Sequence, residues 1–291
     1  MNRFVFYLIL CCTFSAFTTM AQDKPPYELF DAEGKSVKYR KLLKEAQEAD
    51  IIFFGELHNN PIAHWLELEL AQGLHEAAAG KLVLGAEMFE ADNQLQLTEF
   101  LDDKMNAKTF EEDARLWKNY KTDYKPLVEY AKAQGLPFIA TNVPRRYASL
   151  VYKEGFEGLE KLSDEAHRYL PPLPVPYDAE LPCYKSMMDM MSGHGGPPNE
   201  NFPKAQAIKD ATMAHFISQN WQKGQTFLHF NGSYHSENHE GILWYLKQNR
   251  PEAKMLTIMV VEQADISKLE DENKGKADFV IVVTEQMTKT Y

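Results

Sequence analysis

The sequence predicts an α/β fold: a mostly parallel sheet flanked by helices, with a helical and loop insertion at about residues 151–203. Three observations predict it. Short runs rich in Ile, Val and Phe alternate with segments of helical periodicity, those runs are apolar on successive residues, and the alternation breaks only where prolines cluster. Runs apolar at every position suit strands buried on both faces, the condition of a parallel sheet between helical layers.

In chain order, strands are predicted at residues 51–54, 82–89, 136–142, 226–231, 255–261 and 279–284. Their β-branched and aromatic side chains pack well on a pleated, buried surface. Helical periodicity marks residues 62–79, 92–101, 124–134, 205–220 and 240–249. The first of these helices has a clear start, with Asn60 as N-cap and Pro61 at the first helical position, where a missing N–H costs nothing.

Between residues 151 and 203 no strand pattern appears. Pro171, Pro172, Pro174, Pro176, Pro182, Pro197 and Pro198 cluster there with Gly193, Gly195 and Gly196. Short helices and loops are expected, as an insertion within one domain spanning residues 22–291. The segment YKSMMDMMSGHGG at 184–196 carries methionines, which either line an irregular pocket or fill a small core.

The first 21 residues read as a secretory signal peptide. Arg3 supplies the positive start, residues 4–17 are mainly apolar, and Thr19-Met20-Ala21 makes a small-residue cleavage site before Gln22. The apolar run is shorter than the roughly 20 residues of a spanning helix. Cys11 and Cys12 follow Leu10 and Cys11, where a lipidation signal places a small residue, so a membrane tether is expected only if the chain is lipidated. Cleavage leaves Cys183 as the sole cysteine and excludes an internal disulfide.

The formal net charge is -11, and it becomes -12 once Arg3 is removed with the signal. So acidic a chain has no electrostatic attraction for nucleic acid or an anionic membrane surface. Small ligands and cations are the expected partners.

The stretch DIIFFGELHNNPIAHWLELEL at 50–70 places the candidate site. A strand ending near Phe54 leads into a loop with Glu56 and His58, and His64 lies one turn into the next helix. Helical side chains lean toward the N-terminus, so His64 leans back toward that loop. Other predicted strand ends repeat the pattern, with Glu87, then Asn142, then Asn231 and His235. In a parallel α/β sheet these ends share one edge, where ligands collect.

Such a set has two chemical uses. His58, Glu87 and His235, with His64 at the margin, could bind Zn, Fe or Mn. Alternatively, Glu56 or Glu87 orients a histidine that acts as general base. A strand-end Glu or His taken alone is as often a loop organiser. No nucleophile elbow, P-loop or dinucleotide fingerprint occurs.

At these residues the sequence resembles the ChaN family of haem-binding, iron-regulated proteins, within the Tiki and erythromycin-esterase-like superfamily. The matching stretches are GELHNNPIAHW (55–65), AEMFEADNQ (86–94), DYKPLVEYAKAQGLPFIATNVPR (123–145), AQAIKDATMAHFI (205–217) and NGSYHSENHEGI (231–242). The chain departs from the family at Tyr234, where relatives carry a small residue, and in its signal, which lacks the lipobox of ChaN lipoproteins.

The resemblance implies an exported protein, periplasmic or outer-membrane associated, that binds haem for haem and iron uptake, and it implies a homodimer. It also implies a tyrosine ligand in the insertion, for which Tyr177 and Tyr184 are the candidates, and propionate partners, for which Arg145, Arg146 and Lys185 are. Superfamily relatives imply the alternative, a metal-dependent hydrolase using Gly55, His58, Glu87 and His235, with Glu56 beside them. Protein isolated from its native host is expected to begin near Gln22; an intact mass that still includes residues 1–21 would remove the export expectation.

Overall fold

The computed structural model describes residues 24–78, 81–193 and 199–291. The predicted signal peptide, with Cys11 and Cys12, lies outside the described residues, as do Gly195, Gly196, Pro197 and Pro198. Seven strands are present among them: β1 (Tyr27–Asp31), β2 (Ile51–Glu56), β3 (Leu82–Glu90), β4 (Phe138–Asn142), β5 (Thr226–Gly232), β6 (Met255–Gln263) and β7 (Phe279–Thr284). They form one sheet in the order β1-β7-β6-β2-β5-β3-β4. Every neighbouring pair is parallel except β1 with β7.

Alternate residues of the central strands enter different cores. Ile52 and Phe54 pack with α1 (Tyr39–Gln47), α2 (Pro61–Ala77), α3 (Gln94–Leu101), α4 (Ala107–Asp113) and α5 (Lys125–Gln134). Ile51 and Phe53 pack with α6 (Arg145–Glu154), α7 (Asp164–His167), α9 (Asn201–Asn220) and α10 (Ile242–Asn249). This is why the strands are apolar at every position: the two-residue alternation feeds two hydrophobic layers. The remaining helix, α8 (Pro182–Gly193), adds a small cluster of Cys183, Tyr184 and Met187 against Ala207 of α9.

The six predicted strands and five predicted helices are all present. The insertion contains α7, α8 and a short 3-10 segment, Phe156–Lys161, with no strand among its described residues. Strand β1 has no counterpart in the predictions, because YELFD buries only Leu29 and Phe30 and shows no apolar run. Helix α1 is absent from them for a similar reason: the segment is rich in Lys and Glu and buries only Leu42 and Ala46. No helix among the described residues is long and apolar enough to cross a membrane.

Two departures in register shape the sheet's carboxyl edge. β2 runs to Glu56, which pairs with Gly232, whereas the sequence places Glu56 in a loop. Continued pairing with β5 holds Glu56 in the strand. On β3 the register against β4 shifts between Ala86 and Glu90, so the segment carrying Glu87 leaves the regular ladder and its side chain is re-aimed. Beyond β2, Asn60 Oδ1 accepts from the amides of Ile62 and Ala63 at 3.0 and 3.2 Å, with Pro61 in the first turn, as predicted.

In the middle of β5, His229 is fully buried. Its Nδ1 lies 3.0 Å from Asn231 Oδ1 and its Nε2 2.8 Å from Thr141 Oγ1. The amide nitrogen of Asn231 donates elsewhere, so Nδ1–H donates to its oxygen and Nε2 accepts from threonine. That is one neutral tautomer. Burial lowers the pKa of His229 from 6.5 to about 4. Below pH 6.5 the unfolded chain binds the proton that the folded chain refuses, so this contribution is present above pH 6.5 and is lost as pH falls toward about 4. Denaturant unfolding should show His229→Gln losing less stability than the wild type over that interval, by on the order of 3 kcal/mol. Parallel pH profiles would contradict the buried neutral tautomer.

Candidate functional site

The ends of β2, β3 and β5 open into a two-lobed cleft. One lobe, about 610 Å³, lies between α6 and α9, and the other, about 730 Å³, covers the ends of β5 and β6. His58, Glu87, Phe202, Gln206 and Lys209 line both.

Glu56 is almost fully buried. Its Oε1 accepts from the Tyr124 hydroxyl at 2.7 Å and lies 2.6 Å from His58 Nδ1. A carboxylate can only accept, so Nδ1–H donates and Nε2 of His58 is left toward the cleft. The His58 ring also meets Trp117 edge-on, with centroids 4.9 Å apart. It fits there because residue 232 is glycine: a Cβ at that position would stand 2.9 Å from His58 Nε2.

Glu87 faces the same glycine. Its Oε2 accepts from the Gly232 amide at 2.8 Å, and its Oε1 lies 3.2 Å from His235 Nε2. His235 Nδ1 is 2.5 Å from Asp210 Oδ1, and Asp210 Oδ2 accepts from the Tyr184 hydroxyl at 2.8 Å. A continuous hydrogen-bonded line thus runs from the cleft into the α8–α9 contact.

The charges follow from this geometry. Burial would push Glu87 up, but His235 outweighs it and brings the carboxyl down to about 2. Burial opposes a charge on His235, yet Glu87 and Asp210 raise it to about 10. His235 is therefore an imidazolium between two carboxylates, with both nitrogens engaged. For Glu56 the hydrogen bonds from His58 and His64 overcome burial and hold the carboxyl well below the usual range. His58 shifts up despite burial because Glu56 accepts its proton.

The predicted strand-end residues Glu56, His58, Glu87 and His235 all line the cleft. His64 lies beneath it, 7% exposed, and does lean back: its Nε2 is 3.2 Å from the His58 carbonyl oxygen. The predicted metal set of His58, Glu87 and His235 does not bring three donor atoms within 4.8 Å of one another. Among the described residues, Glu56, His64 and Glu67 do. Burial opposes charge on His64, but Glu56 and Glu67 drive its pKa up to about 11, while burial and Glu56 raise Glu67 well above the carboxylate range.

The other predicted ligands are placed differently from the expectation. Tyr184 is fully buried and its hydroxyl is committed to Asp210, so it reaches neither lobe. Tyr177 packs between Phe156 and Tyr184, also outside both lobes. Lys185 pairs with Glu180 on the surface, and Arg146 pairs with Asp92 and stacks on Tyr147. Only Arg145 of these five lines a lobe.

Among the participants that escape the sequence reading are Trp117, Tyr152, Asp210 and Glu67. Two of them leave a signal. Asp210 sits among Ala207, Ile208, Ala211 and Ala214, an acid on the apolar face of a helix. Glu67 follows His64 by three residues, which places both on one helical face. Trp117 and Tyr152 leave none, since each is a partly exposed aromatic whose cleft position depends on distant elements.

A family profile described as haem-binding uptake, Tiki superfamily, ChaN, matches residues 42–246. Protein RETICULATA-RELATED 5, chloroplastic, of Arabidopsis thaliana is 26% identical over 202 residues, which cover 65% of this chain and 27% of that protein. The chain therefore spans about a quarter of that curated relative's length. The solved structure of cofacial heme binding to ChaN of Campylobacter jejuni superposes with a TM-score of 0.66 at 17% identity, covering 89% of this chain and 97% of that one. A succinoglycan biosynthesis protein superposes with a TM-score of 0.52 at 11% identity, covering 89% and 94%. Likeness at such identities speaks for the fold, the α/β sheet and its helical layers. The profile spans well over half of the sequence and includes the strand-end residues from Glu56 to His235, and on that match the chain belongs to the ChaN family of haem-binding uptake proteins in the Tiki superfamily.

Proposed function

We propose that this chain is an exported haem-binding protein serving haem and iron uptake, with haem seated in the lobe between α6 and α9. The observation that carries the reading is the composition of that one cavity of about 610 Å³. A porphyrin needs an apolar slot, cations for its propionates and a donor for its iron. Trp117, Val143, Ala148 and Phe202 supply walls, and Arg145, Lys153 and Lys209 supply cations. Tyr152, 43% exposed and edge-on to Phe202, supplies the phenol. These residues fit the group, and Tyr152 takes the role first expected of Tyr177 or Tyr184.

Haem here is cargo, and the iron is what it brings. The chain's own part is to bury the ring, neutralise the propionates and hold the phenol against the metal. Residues 1–21 support export to the periplasm or outer-membrane surface, and lipidation would be needed for a tether. The family match supports haem as the ligand and uptake as the role; iron regulation and a homodimer rest on the sequence resemblance alone.

A second reading, a metal-dependent hydrolase, is favoured by one observation. Glu56 holds His58 through Nδ1, so Nε2 faces the cleft as a base would. The Glu87–His235–Asp210 line would then hold the Glu87 carboxylate in a fixed orientation beside that base.

Titration of the apo chain with ferric haem separates the two. Haem binding predicts a saturable Soret shift, altered or weakened by Tyr152→Phe. Arg145→Ala should weaken it by roughly tenfold, the worth of one charge-assisted contact. Tyr177→Phe should leave it unchanged. Non-saturable binding, or a Tyr152→Phe spectrum identical to the wild type, would sink the assignment. The hydrolase reading instead predicts metal-dependent ester hydrolysis that His58→Ala abolishes and Tyr152→Phe leaves intact.

A further inference from the structure

Below the cleft, on the far side of Glu56 from His58, lies a second group of ionisable side chains that haem binding does not use. His64 stands in the first turn of α2, its ring edge-on to Tyr124 with centroids 5.2 Å apart. Its Nε2 is 3.2 Å from the His58 carbonyl oxygen and 3.5 Å from Asp123 Oδ2. Both are acceptors, so Nε2 carries a hydrogen.

The other ring nitrogen then meets more acceptors. His64 Nδ1 lies 3.1 Å from Glu67 Oε2 and 3.4 Å from Glu56 Oε2. Glu56 Oε2 and Glu67 Oε1 have no hydrogen-bond partner, although both side chains are buried. An imidazole and two carboxyl groups cannot face one another out of water without protons or a cation shared among them.

Protons or a metal ion meet that need. A proton on Nδ1 is directed to Glu67 Oε2 at 3.1 Å and meets Glu56 Oε2 only at 3.4 Å, so a second proton, on Glu67, is needed to join the two carboxyl groups, whereas one ion meets all three side chains. Ligand atoms from Glu56, His64 and Glu67 lie within 4.8 Å of one another, and His64 Nδ1 stands 3.1 and 3.4 Å from the two carboxyl oxygens, near the roughly 3.4 Å between neighbouring ligands on an ion with bonds of about 2.0–2.2 Å. The outer contacts are also those of a metal-bound histidine. Its second nitrogen donates to a carbonyl, and the ligating Glu56 is steadied through Oε1 by Tyr124 and His58.

We propose that Glu56, His64 and Glu67 form a buried site for one divalent transition-metal ion of the class that accepts mixed imidazole and carboxylate donors, such as Zn or Mn. The site is separate from the haem lobe and from the strand-end set of His58, Glu87 and His235. It joins the cleft through Glu56, one oxygen facing the ion and the other holding His58, and through His64, whose Nε2 meets the His58 carbonyl. Its role is structural and positional: the ion ties the first turn of α2 to the end of β2 and fixes the carboxylate that sets the His58 tautomer.

The test uses the full chain, stripped with a chelator and then titrated with Zn, Mn or Co. Bound metal is measured after desalting, together with the melting temperature. The expected result is one ion per chain and a rise in melting temperature. Glu67→Gln should lower bound metal by at least about tenfold, while His235→Ala retains it. The cobalt-loaded wild type should show d–d absorption, and X-ray absorption should report one imidazole among oxygen donors, a measurement that stands even if Glu67→Gln fails to fold. Metal at trace levels with an unchanged melting temperature would overturn the proposal and leave a proton on His64. Retention by Glu67→Gln, loss in His235→Ala, or two imidazoles at the metal would overturn it as well.

Discussion

Carrying β2 in parallel register with β5 as far as Glu56 puts a carboxylate at a buried strand end, and the polar architecture of the cleft answers that constraint. Removing such a group from water costs several kcal/mol unless hydrogen bonds and opposite charge replace the solvent. Tyr124 and His58 meet one oxygen of Glu56, and His64 approaches the other. Each of these partners comes from a different segment: the loop after β2, the first turn of α2 and the turn before α5. The burial of one side chain therefore brings three segments together at the sheet's edge.

A second buried acid follows the same logic on the neighbouring strand. Glu87 is satisfied by the Gly232 amide and by His235, whose far nitrogen is held by Asp210. Asp210 in turn takes the Tyr184 hydroxyl, so the α8 segment of the insertion is tied to the sheet's edge through hydrogen bonds as well as apolar packing. This is why Tyr184 cannot meet a ligand in the cleft. Its phenol is spent inside the protein, whereas Tyr152, on the outward side of α6, is left facing the cavity.

The two acids divide the labour of the site. Around Glu87 the arrangement is a closed ion-pair chain with both His235 nitrogens occupied, which makes it a rigid wall. Around Glu56 the arrangement leaves His58 Nε2 open to the cleft above and unpartnered oxygens in the buried group below. Haem binding draws on the apolar and cationic lobe beside these groups. The proposed ion stands under them and acts on the cleft by holding Glu56 and the His64 ring that meets the His58 carbonyl.

Much of the sheet was legible in the sequence, because strands buried on both faces must be apolar at every position and that pattern survives as a run of letters. The Asn60-Pro61 helix start and the gathering of Glu56, His58, Glu87 and His235 at one edge were legible for the same kind of reason: both follow from local chemistry plus the rule that parallel strands share a carboxyl end. Edge strand β1 and helix α1 were not, since each buries only two residues. Nor could the sequence say which tyrosine faces the cavity, or that Glu67, His64 and Glu56 would meet. Tyr152 and Tyr184 look alike as letters, and what separates them is the position of Asp210, whose side chain arrives from α9, the helix against which α8 packs. Sequence by itself determined which residues could be buried and which chemistry they carry; only the tertiary structure decided which polar atoms find partners, because each partner is supplied by a segment distant along the chain.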